Sequence, residues 1–349
     1  MDISKIDKNF NMKKTVDMTG MKVYDILESP FKIYGVIPPN EKEDQFVRLP
    51  GEVSEKVSDG VHTLHTCTAG GRVKFATNSG KIAIRAYMPN MYKMSHYALT
   101  GSIGLDIYAD NKFLKTFVPP FDIENGYESV IDTDGKMHDY TINMPSYAEV
   151  SRLYVMLEEG AELKEASPYR DLKPIVYYGS SITQGGCSSR PGNIYQNIVV
   201  RRTNIDYVNL GFSGAAKAED AIAEYIAGLD MSMFVFDYDH NAPTLEHLKD
   251  THEKMFKTIR AKNTDIPIIC ISKPGIGVKT EERREVIRKT VENANAAGDK
   301  NVWFIDGQSF SKLCDEPDAI TVDGIHPTDL GFAMMGRVIG EKIEEIIGK

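Results

Sequence analysis

Cysteine is scarce in this sequence of 349 residues. Its four cysteines are Cys67, Cys187, Cys270 and Cys314. Their spacing fits neither a disulfide framework nor a zinc motif, and free thiols suit a reducing compartment. Histidine adds no metal motif, because His247 and His252 lie on different faces of a predicted helix. His62 and His65 point to opposite faces of a predicted strand. We predict no metal site.

Long apolar runs and an excess of basic charge are also missing. No apolar run approaches the ~20 residues that a membrane-spanning helix needs, and the first twenty residues carry four lysines without an apolar signal-peptide region. The net charge is −9. Because nucleic acids and anionic membranes bind basic faces, neither is an expected partner. We predict a soluble, cytoplasmic protein. Secretion stays an alternative if a signal peptide was removed, and the protein could form homo-oligomers.

The hydrophobic pattern changes near residue 165. Before it, short alternating segments separated by Gly, Asn, Asp and Pro predict an all-β sandwich; these segments are 71–76, 81–88, 105–117 and 153–157. After it, strands alternate with helices, which predicts a parallel sheet covered by helices on both faces. A chain of 349 residues also exceeds what one core comfortably supports. We therefore predict a β-sandwich domain over 1–167 and an α/β domain over 168–349.

The α/β half divides into five strands and five helices. The predicted strands are 175–178, 205–209, 233–237, 267–272 and 302–305, and the predicted helices are 193–202, 219–229, 245–262, 281–296 and 330–347. In such folds the chemistry collects at the carboxyl ends of the strands. Loops that follow the strands are therefore the first places to look for a site.

One such loop, residues 179–185, follows an apolar strand and contains Ser181. A serine hydroxyl needs an adjacent base, and the base needs a partner that fixes its tautomer. Asp323 and His326 can be that pair, because a turn that contains Gly324 and ends at Pro327 lets the two side chains fold toward each other. Taken singly, each segment could be an ordinary loop. Together they supply a nucleophile, a base and an orienting acid.

These segments resemble sequence blocks of the GDSL-like, or SGNH, hydrolases. The resemblance covers about residues 174–349 and places the nucleophile at Ser181, the base at His326 and the acid at Asp323. Serine stands at Ser180, where the family usually has an aspartate that braces the loop. The resemblance implies a flavodoxin-like, three-layer α/β/α domain with a five-stranded parallel sheet and no cofactor.

Two further blocks would supply the oxyanion hole. The segment 209–214 looks like the second block, which implies that the N–H of Gly214 binds the oxyanion. The segment 239–242 keeps only the asparagine of the third block, which implies a side-chain donor at Asn241. A plain strand-to-helix turn at Gly214 and a helix cap at Asn241 are the structural alternatives. His240 could line the pocket and is a candidate substrate-binding residue.

The first half has its own resemblance. The residues Gly-Leu-Asp-Ile-Tyr at 104–108, within an alternating stretch over 102–117, look like the Gly-x-Asp-Leu-Tyr signature of a jelly-roll-like β-sandwich found ahead of SGNH esterases. A plain strand would show the same alternation. Asp106 and Tyr108 could therefore belong to the pocket wall or to the scaffold.

Small residues surround Arg190 directly after the nucleophile loop. They would leave room for a substrate, and the planar donor fork of Arg190 could hold a carboxylate or a hydroxyl-rich group. The alternative is that Arg190 pairs with a surface acid and that Pro191 only starts the helix. Cys187, in the same segment, is interpreted as a small buried filler rather than a second nucleophile.

The sequence thus predicts a serine esterase that removes small acyl groups, acetyl above all, from carbohydrate esters through an acyl-enzyme. The carbohydrate preference comes from the resemblance, since esterases of this two-domain type often act on acetylated sugars. The alternatives are a general short-chain acyl esterase or thioesterase, and a non-catalytic carbohydrate-binding protein. The expected partner is a small-molecule or oligosaccharide ester.

Overall fold

The first half of the chain forms two antiparallel sheets. The computed structural model describes residues 15–274 and 280–348. The strands of this half are β1 (Met21–Asp25), β2 (Lys32–Tyr34), β3 (Arg72–Thr77), β4 (Lys81–Tyr87), β5 (Leu105–Ala109), β6 (Lys112–Phe117), β7 (Gly126–Asp132), β8 (His138–Asn143), β9 (Arg152–Glu158) and β10 (Leu163–Lys164). One sheet has the order β1-β9-β4-β7, and the other has the order β10-β3-β8-β5-β6 with β2 also paired to β3.

The two sheets share one apolar core, as the alternating sequence predicts. In β4, Ile82, Ile84 and Ala86 point into this core, while the intervening Arg85 is only partly buried and lies beside Glu128. Val73 and Phe75 of β3, in the opposite sheet, enter the same core. Period-two alternation therefore closes the sandwich, because it brings every second side chain of each strand to the inner face.

Within the stretch 102–117, Ser102 ends a short helix, and residues 105–117 form a hairpin rather than one continuous strand. It divides into β5 and β6 at Asp110 and Asn111, whose φ angles are 48° and 64°. Two successive residues with positive φ form the tight turn that suits the twist of paired strands, and Asp and Asn tolerate this conformation better than most residues. The three polar residues at 110–112 interrupt the alternation, and they are the turn signal that an interpretation as one alternating stretch passes over.

The sandwich half is not all β. It also contains the helices α1 (Gly51–Val57), α2 (Asp59–Leu64) and α3 (Leu99–Ser102). The expectation that His62 and His65 occupy a strand is wrong, since both lie at α2 and their rings stack with centroids 5.1 Å apart. The Ser58 hydroxyl starts α2 by accepting the N–H of Val61 at 3.3 Å. Val61 then packs into the core of the second half.

The second half is the predicted parallel sheet with helices on both faces. Its strands are β11 (Ile175–Gly179), β12 (Tyr207–Gly211), β13 (Met233–Asp237), β14 (Ile268–Ile271) and β15 (Val302–Ile305), in the order β12-β11-β13-β14-β15. Its helices are α4 (Ser181–Gln184), α5 (Tyr195–Thr203), α6 (Asp220–Ala227), α7 (Leu245–Lys262), α8 (Thr280–Ala296), α9 (Gln308–Ser311) and α10 (Asp329–Ile347). This is the flavodoxin-like order, so the prediction of a three-layer α/β/α domain is confirmed.

Alternate residues of each central strand serve opposite layers. Val176 and Tyr178 of β11 join one core cluster with α6, α7 and α8. Ile175 and Tyr177 join another cluster with α5 and α10. Strands buried on both faces explain the near-continuous apolar runs of this half. No helix in the described ranges is both long and apolar enough to cross a bilayer.

Candidate active site

The nucleophile loop begins where β11 ends, next to β13. At Gly179 an added Cβ would collide with the carbonyl oxygen of Asp237, so only glycine fits between the two strand ends. Ser180 then donates its N–H to the same carbonyl at 3.1 Å. The order of the sheet reverses between β11 and β13, which is where open α/β sheets usually bind ligands. The sequence therefore places Ser181 at the switch point of the sheet.

Ser180 explains how the loop tolerates the loss of an aspartate. Its Oγ accepts the N–H of Ile182 at 3.2 Å and caps the short helix α4. Serine and aspartate both cap helix N-termini well, so the substitution keeps this local bond. Ser181 is the first residue of α4, and its own N–H has no acceptor within the described part of the chain.

Ser181, His326 and Asp323 lie in one chain of hydrogen bonds. The Ser181 Oγ is 2.9 Å from Nε2 of His326, and Nδ1 of His326 is 2.8 Å from Oδ2 of Asp323. The other carboxylate oxygen accepts the backbone N–H groups of Ile325 at 3.0 Å and His326 at 2.8 Å. The turn through Gly324, with φ at +82°, folds the acid back onto the base. The structure thus brings the three predicted residues together.

The Asp323 carboxylate remains ionised at neutral pH. Desolvation opposes ionisation, but the hydrogen bonds from the His326 side chain and from two backbone N–H groups outweigh it and lower the pKa of Asp323 to about 2. A fixed negative charge at Nδ1 keeps the proton on that nitrogen. Nε2 is then free to accept a proton from Ser181.

The two predicted oxyanion donors lie in neighbouring loops. Gly214 has φ at +68°, and its N–H has no hydrogen-bond partner among the described residues. Nδ2 of Asn241 donates to the carbonyl oxygen of Phe212 at 2.9 Å, which ties the two loops together and leaves the second amide hydrogen without an acceptor among the residues that the structure describes. Thr244 caps the following helix by accepting from His247 at 3.0 Å, so a cap is not needed from Asn241.

His240 lies beside this arrangement as a neutral side chain. Burial and the nearby Lys273, His326 and Arg283 lower the pKa of His240 to about 3. Its Nε2 is buried and has no partner among the described residues. The proposed contact of His240 with substrate stays a prediction.

Both halves of the chain match known families. A family model for the GDSL-like lipase/acylhydrolase family matches residues 172–344, and a model described as the N-terminus of SGNH-hydrolase-type esterases, GxDLY, matches residues 21–163. The chain belongs to the GDSL-like hydrolases. As a GDSL-like hydrolase it is an ester-hydrolysing enzyme. No curated protein matches its sequence significantly.

Solved structures show the same two-domain arrangement. A Bacteroides ovatus protein assigned as a GDSL-like lipase is 27% identical, with a TM-score of 0.83, and the match covers 94% of this hydrolase and 98% of that chain. The salicylyl-acyltransferase SsfX3 of a tetracycline biosynthetic pathway is 17% identical, with a TM-score of 0.76 over 95% and 98%. An acetyl xylan esterase from Butyrivibrio proteoclasticus is 10% identical, with a TM-score of 0.60 over 95% and 99%. The last two share the fold of this GDSL-like hydrolase.

The GxDLY signature of this hydrolase joins the two domains. Asp106 is fully buried, and its carboxylate accepts Asn143 Nδ2 at 2.7 Å and the N–H of Gly192 at 2.8 Å. Tyr108 donates to the Gly192 carbonyl at 3.3 Å. Burial raises the pKa of Asp106, while these bonds and the charge of Arg190 oppose that rise. The signature therefore acts as scaffold between the domains.

Arg190 contacts this scaffold as well. Its Nη1 donates to the Tyr108 hydroxyl and lies 3.4 Å from Oδ2 of Asp106, and the guanidinium stacks 3.7 Å from the ring centre of Phe113. Arg190 thus pairs with an acid, but with the fully buried Asp106 rather than with the surface acid considered from the sequence. We assign Arg190 to the domain interface and leave it out of the proposed substrate site.

Two buried arginines of the sandwich extend the same interface. Arg48 donates to the carbonyls of Asn209 and Gly211 at the end of β12. Arg72 forms an ion pair with Asp206 at 2.6 Å and donates to the Tyr207 carbonyl at 2.8 Å. Nothing in the sequence pattern marks these arginines, because their partners lie more than 130 positions away.

Gln184 and Tyr147 are parts of the site that the sequence analysis missed. Gln184 Oε1 accepts the N–H of Ser213 at 2.9 Å, and its Nε2 donates to the Ser146 carbonyl at 3.1 Å. Gln184 thus fixes the residue next to Gly214 and ties it to the sandwich. The Tyr147 hydroxyl lies 3.5 Å from the Ser181 carbonyl. Only the position of Gln184, three residues after the nucleophile, could have drawn attention to it.

Proposed function

We propose that this hydrolase removes small acyl groups, acetyl above all, from carbohydrate esters through an acyl-enzyme intermediate. The observation that carries the proposal is the hydrogen-bonded chain of Ser181, His326 and Asp323 at the switch point of the sheet. An activated serine of this kind attacks carboxylic esters without help from a cofactor.

In the proposed first step, the Ser181 oxygen attacks the ester carbonyl carbon and its proton moves to Nε2 of His326. Asp323 stabilises the imidazolium that forms. His326 then gives the proton to the departing alcohol oxygen, and the acyl group remains on Ser181. In the second step His326 takes a proton from water, the water oxygen attacks the acyl carbon, and the carboxylic acid leaves as Ser181 regains its proton.

The negative oxygen of each tetrahedral intermediate needs donors that are already in place. The N–H groups of Ser181 and Gly214 have no other acceptor among the described residues, and Asn241 keeps one amide hydrogen available. Preorganised donors of this kind stabilise the charge without reorganisation during the reaction. We assign these three groups to the oxyanion hole.

A groove between the domains is large enough to hold a sugar-sized alcohol. It has a volume of about 440 Å³ and is lined by Leu64, Met91, Tyr92, Lys93, Met94, Tyr147 and Ser213. Tyrosine rings and a lysine suit a hydroxyl-rich ring that stacks on one side and forms hydrogen bonds at its edges. The acetyl xylan esterase that shares the fold lends further support to an acetylated sugar.

The proposal is tested with a substrate panel. We expect p-nitrophenyl acetate to be hydrolysed faster than the butyrate, and the octanoate slowest. Acetate release from acetylated xylo-oligosaccharides should exceed release from simple alkyl acetates. A preference for long chains would contradict the small-acyl proposal, and equal rates on sugar and alkyl acetates would favour a general short-chain esterase. Sugar binding without turnover of any ester would favour a carbohydrate-binding protein.

Asn241→Ala is expected to lower kcat about 10²–10³-fold, because one side-chain oxyanion donor is typically worth this much. KM should change little, since the donor acts on charge that develops in the transition state. Steady-state kinetics on p-nitrophenyl acetate measure both constants. The matched control is Asn293→Ala, which removes an exposed amide of α8 that donates to Glu253 of α7 at 3.0 Å. A kcat within threefold of wild type would remove Asn241 from the oxyanion hole.

A further inference from the structure

Three metal-ligating side chains from distant parts of the chain converge beside the nucleophile. They are His96, Cys187 and His326, and one ligand atom from each lies within 4.8 Å of the other two. The rings of His96 and His326 are 5.8 Å apart, centre to centre. Among the described residues no other set of three such side chains comes as close.

The interface between the domains holds two of these side chains in place. His96 is exposed, but the next residue, Tyr97, is buried and donates its hydroxyl to the Gly185 carbonyl at 2.8 Å. Cys187 is buried against Tyr97 and Tyr147 and has φ at +75°, a conformation that a residue with a side chain rarely adopts. Such strain collects at functional positions.

We propose that His96, Cys187 and His326 bind a Zn²⁺ ion, and that the bound ion reversibly inhibits the hydrolase. Two imidazoles and a thiolate are ligands that Zn²⁺ prefers, whereas Ca²⁺ and Mg²⁺ prefer oxygen. Zinc bonds of about 2.0–2.3 Å in a tetrahedron bring ligand atoms to about 3.3–3.7 Å from one another. The three ligand atoms, now within 4.8 Å of one another, must therefore come closer together. A small rotation of the exposed His96 side chain can bring its nitrogen to that distance, and water fills the fourth position.

The inhibition follows from which nitrogen the ion occupies, and it rests on the proposed function. Nδ1 of His326 is held by Asp323, so the ion takes Nε2, the same lone pair that must accept the Ser181 proton. The Asp323 carboxylate then orients a metal-bound imidazole, an arrangement common at zinc sites. Cys187 releases its thiol proton to solvent as its sulfur binds the ion. The ion displaces the hydrogen bond between Ser181 and Nε2 but changes no covalent bond of Ser181, so removing the ion restores the enzyme.

Metal binding is measured first, on the full chain stripped with a chelator and dialysed. Titration with Co²⁺ should produce a thiolate-to-cobalt charge-transfer band, which Zn²⁺ then abolishes by displacement. His96→Ala and Cys187→Ser should weaken Co²⁺ binding by more than about tenfold, because even residues behind the ligands are worth 10–100-fold. The matched controls, His138→Ala and Cys314→Ser, should bind as wild type does. A band of equal strength in Cys187→Ser would overturn the proposal.

Inhibition is measured separately on p-nitrophenyl acetate. Zn²⁺ should abolish wild-type hydrolysis, EDTA should restore it, and the zinc concentration for half-inhibition should rise more than about tenfold in His96→Ala. Unchanged inhibition in His96→Ala would place the ion elsewhere and contradict the proposal. If the stripped protein hydrolyses no ester, the proposed function fails, and the cobalt band still decides whether the metal site exists.

Discussion

Ser181→Ala is expected to lower kcat by about 10⁶, the size of effect that follows removal of a triad nucleophile. The alanine cannot form the acyl-enzyme, and His326 is left without the hydroxyl that it holds at 2.9 Å. A residual rate above that in water should persist, because the N–H donors at Ser181 and Gly214 do not depend on the hydroxyl. Hydrolysis of p-nitrophenyl acetate under saturating conditions measures the loss.

The control must separate chemistry from folding. Within residues 15–274 and 280–348 the Ser181 hydroxyl has only His326 as a partner, so its loss should leave the thermal midpoint of unfolding nearly unchanged. Ser151→Ala removes a serine hydroxyl just before β9 of the sandwich, where it donates to the Tyr87 carbonyl at 3.3 Å, and should keep full activity. Wild-type turnover by Ser181→Ala would refute the assignment of the nucleophile.

Asp323→Asn is expected to lower kcat about 10⁴-fold while leaving the shape of the turn intact. One oxygen of Asp323 accepts two backbone N–H groups, and the other accepts Nδ1–H of His326. An asparagine has only one side-chain oxygen. If that oxygen accepts the two backbone N–H groups, the NH₂ group faces Nδ1. The imidazole then carries its proton on Nε2, and it cannot accept the proton of Ser181.

Steady-state kinetics test this expectation, with a neighbouring carboxylate as the matched control. Asp318→Asn removes a nearby exposed carboxylate without touching His326 and should retain wild-type kcat. If Asp323→Asn stays within tenfold of wild type, the carboxylate does not set the tautomer. His326 would then be oriented by other contacts.

The sequence predicts those parts of the site that are local. Asp323 and His326 lie three positions apart, so a single turn determines their geometry, and Ser181 directly follows a strong apolar strand. The parallel sheet is predictable for the same reason, since each strand and helix carries its own period. All five strands and the five long helices match their predicted bounds to within two residues, and β12 begins and ends two residues later than predicted.

Features that depend on distant contacts could not be predicted in this way. The role of Arg190 depends on Asp106 and Tyr108, and that of Gln184 depends on Ser213 and Ser146. Spacing along the chain points only to His247/His252 and His62/His65 as possible pairs of metal ligands, and neither pair faces one site. The cluster around Cys187 is assembled from three separate segments, so no local pattern marks it.

A buried arginine of the sandwich helps to hold the oxyanion loop of the second half in place. The carbonyls of Asn209 and Gly211 stand at the end of the strand that leads to Gly214, and Arg48 is their donor across the interface. Without residue 48, two carbonyls beneath the oxyanion loop would lose that donor. The sandwich is thus placed against the second half as a permanently bound subunit would be, and we expect the oxyanion loop to need both halves of the chain for its geometry.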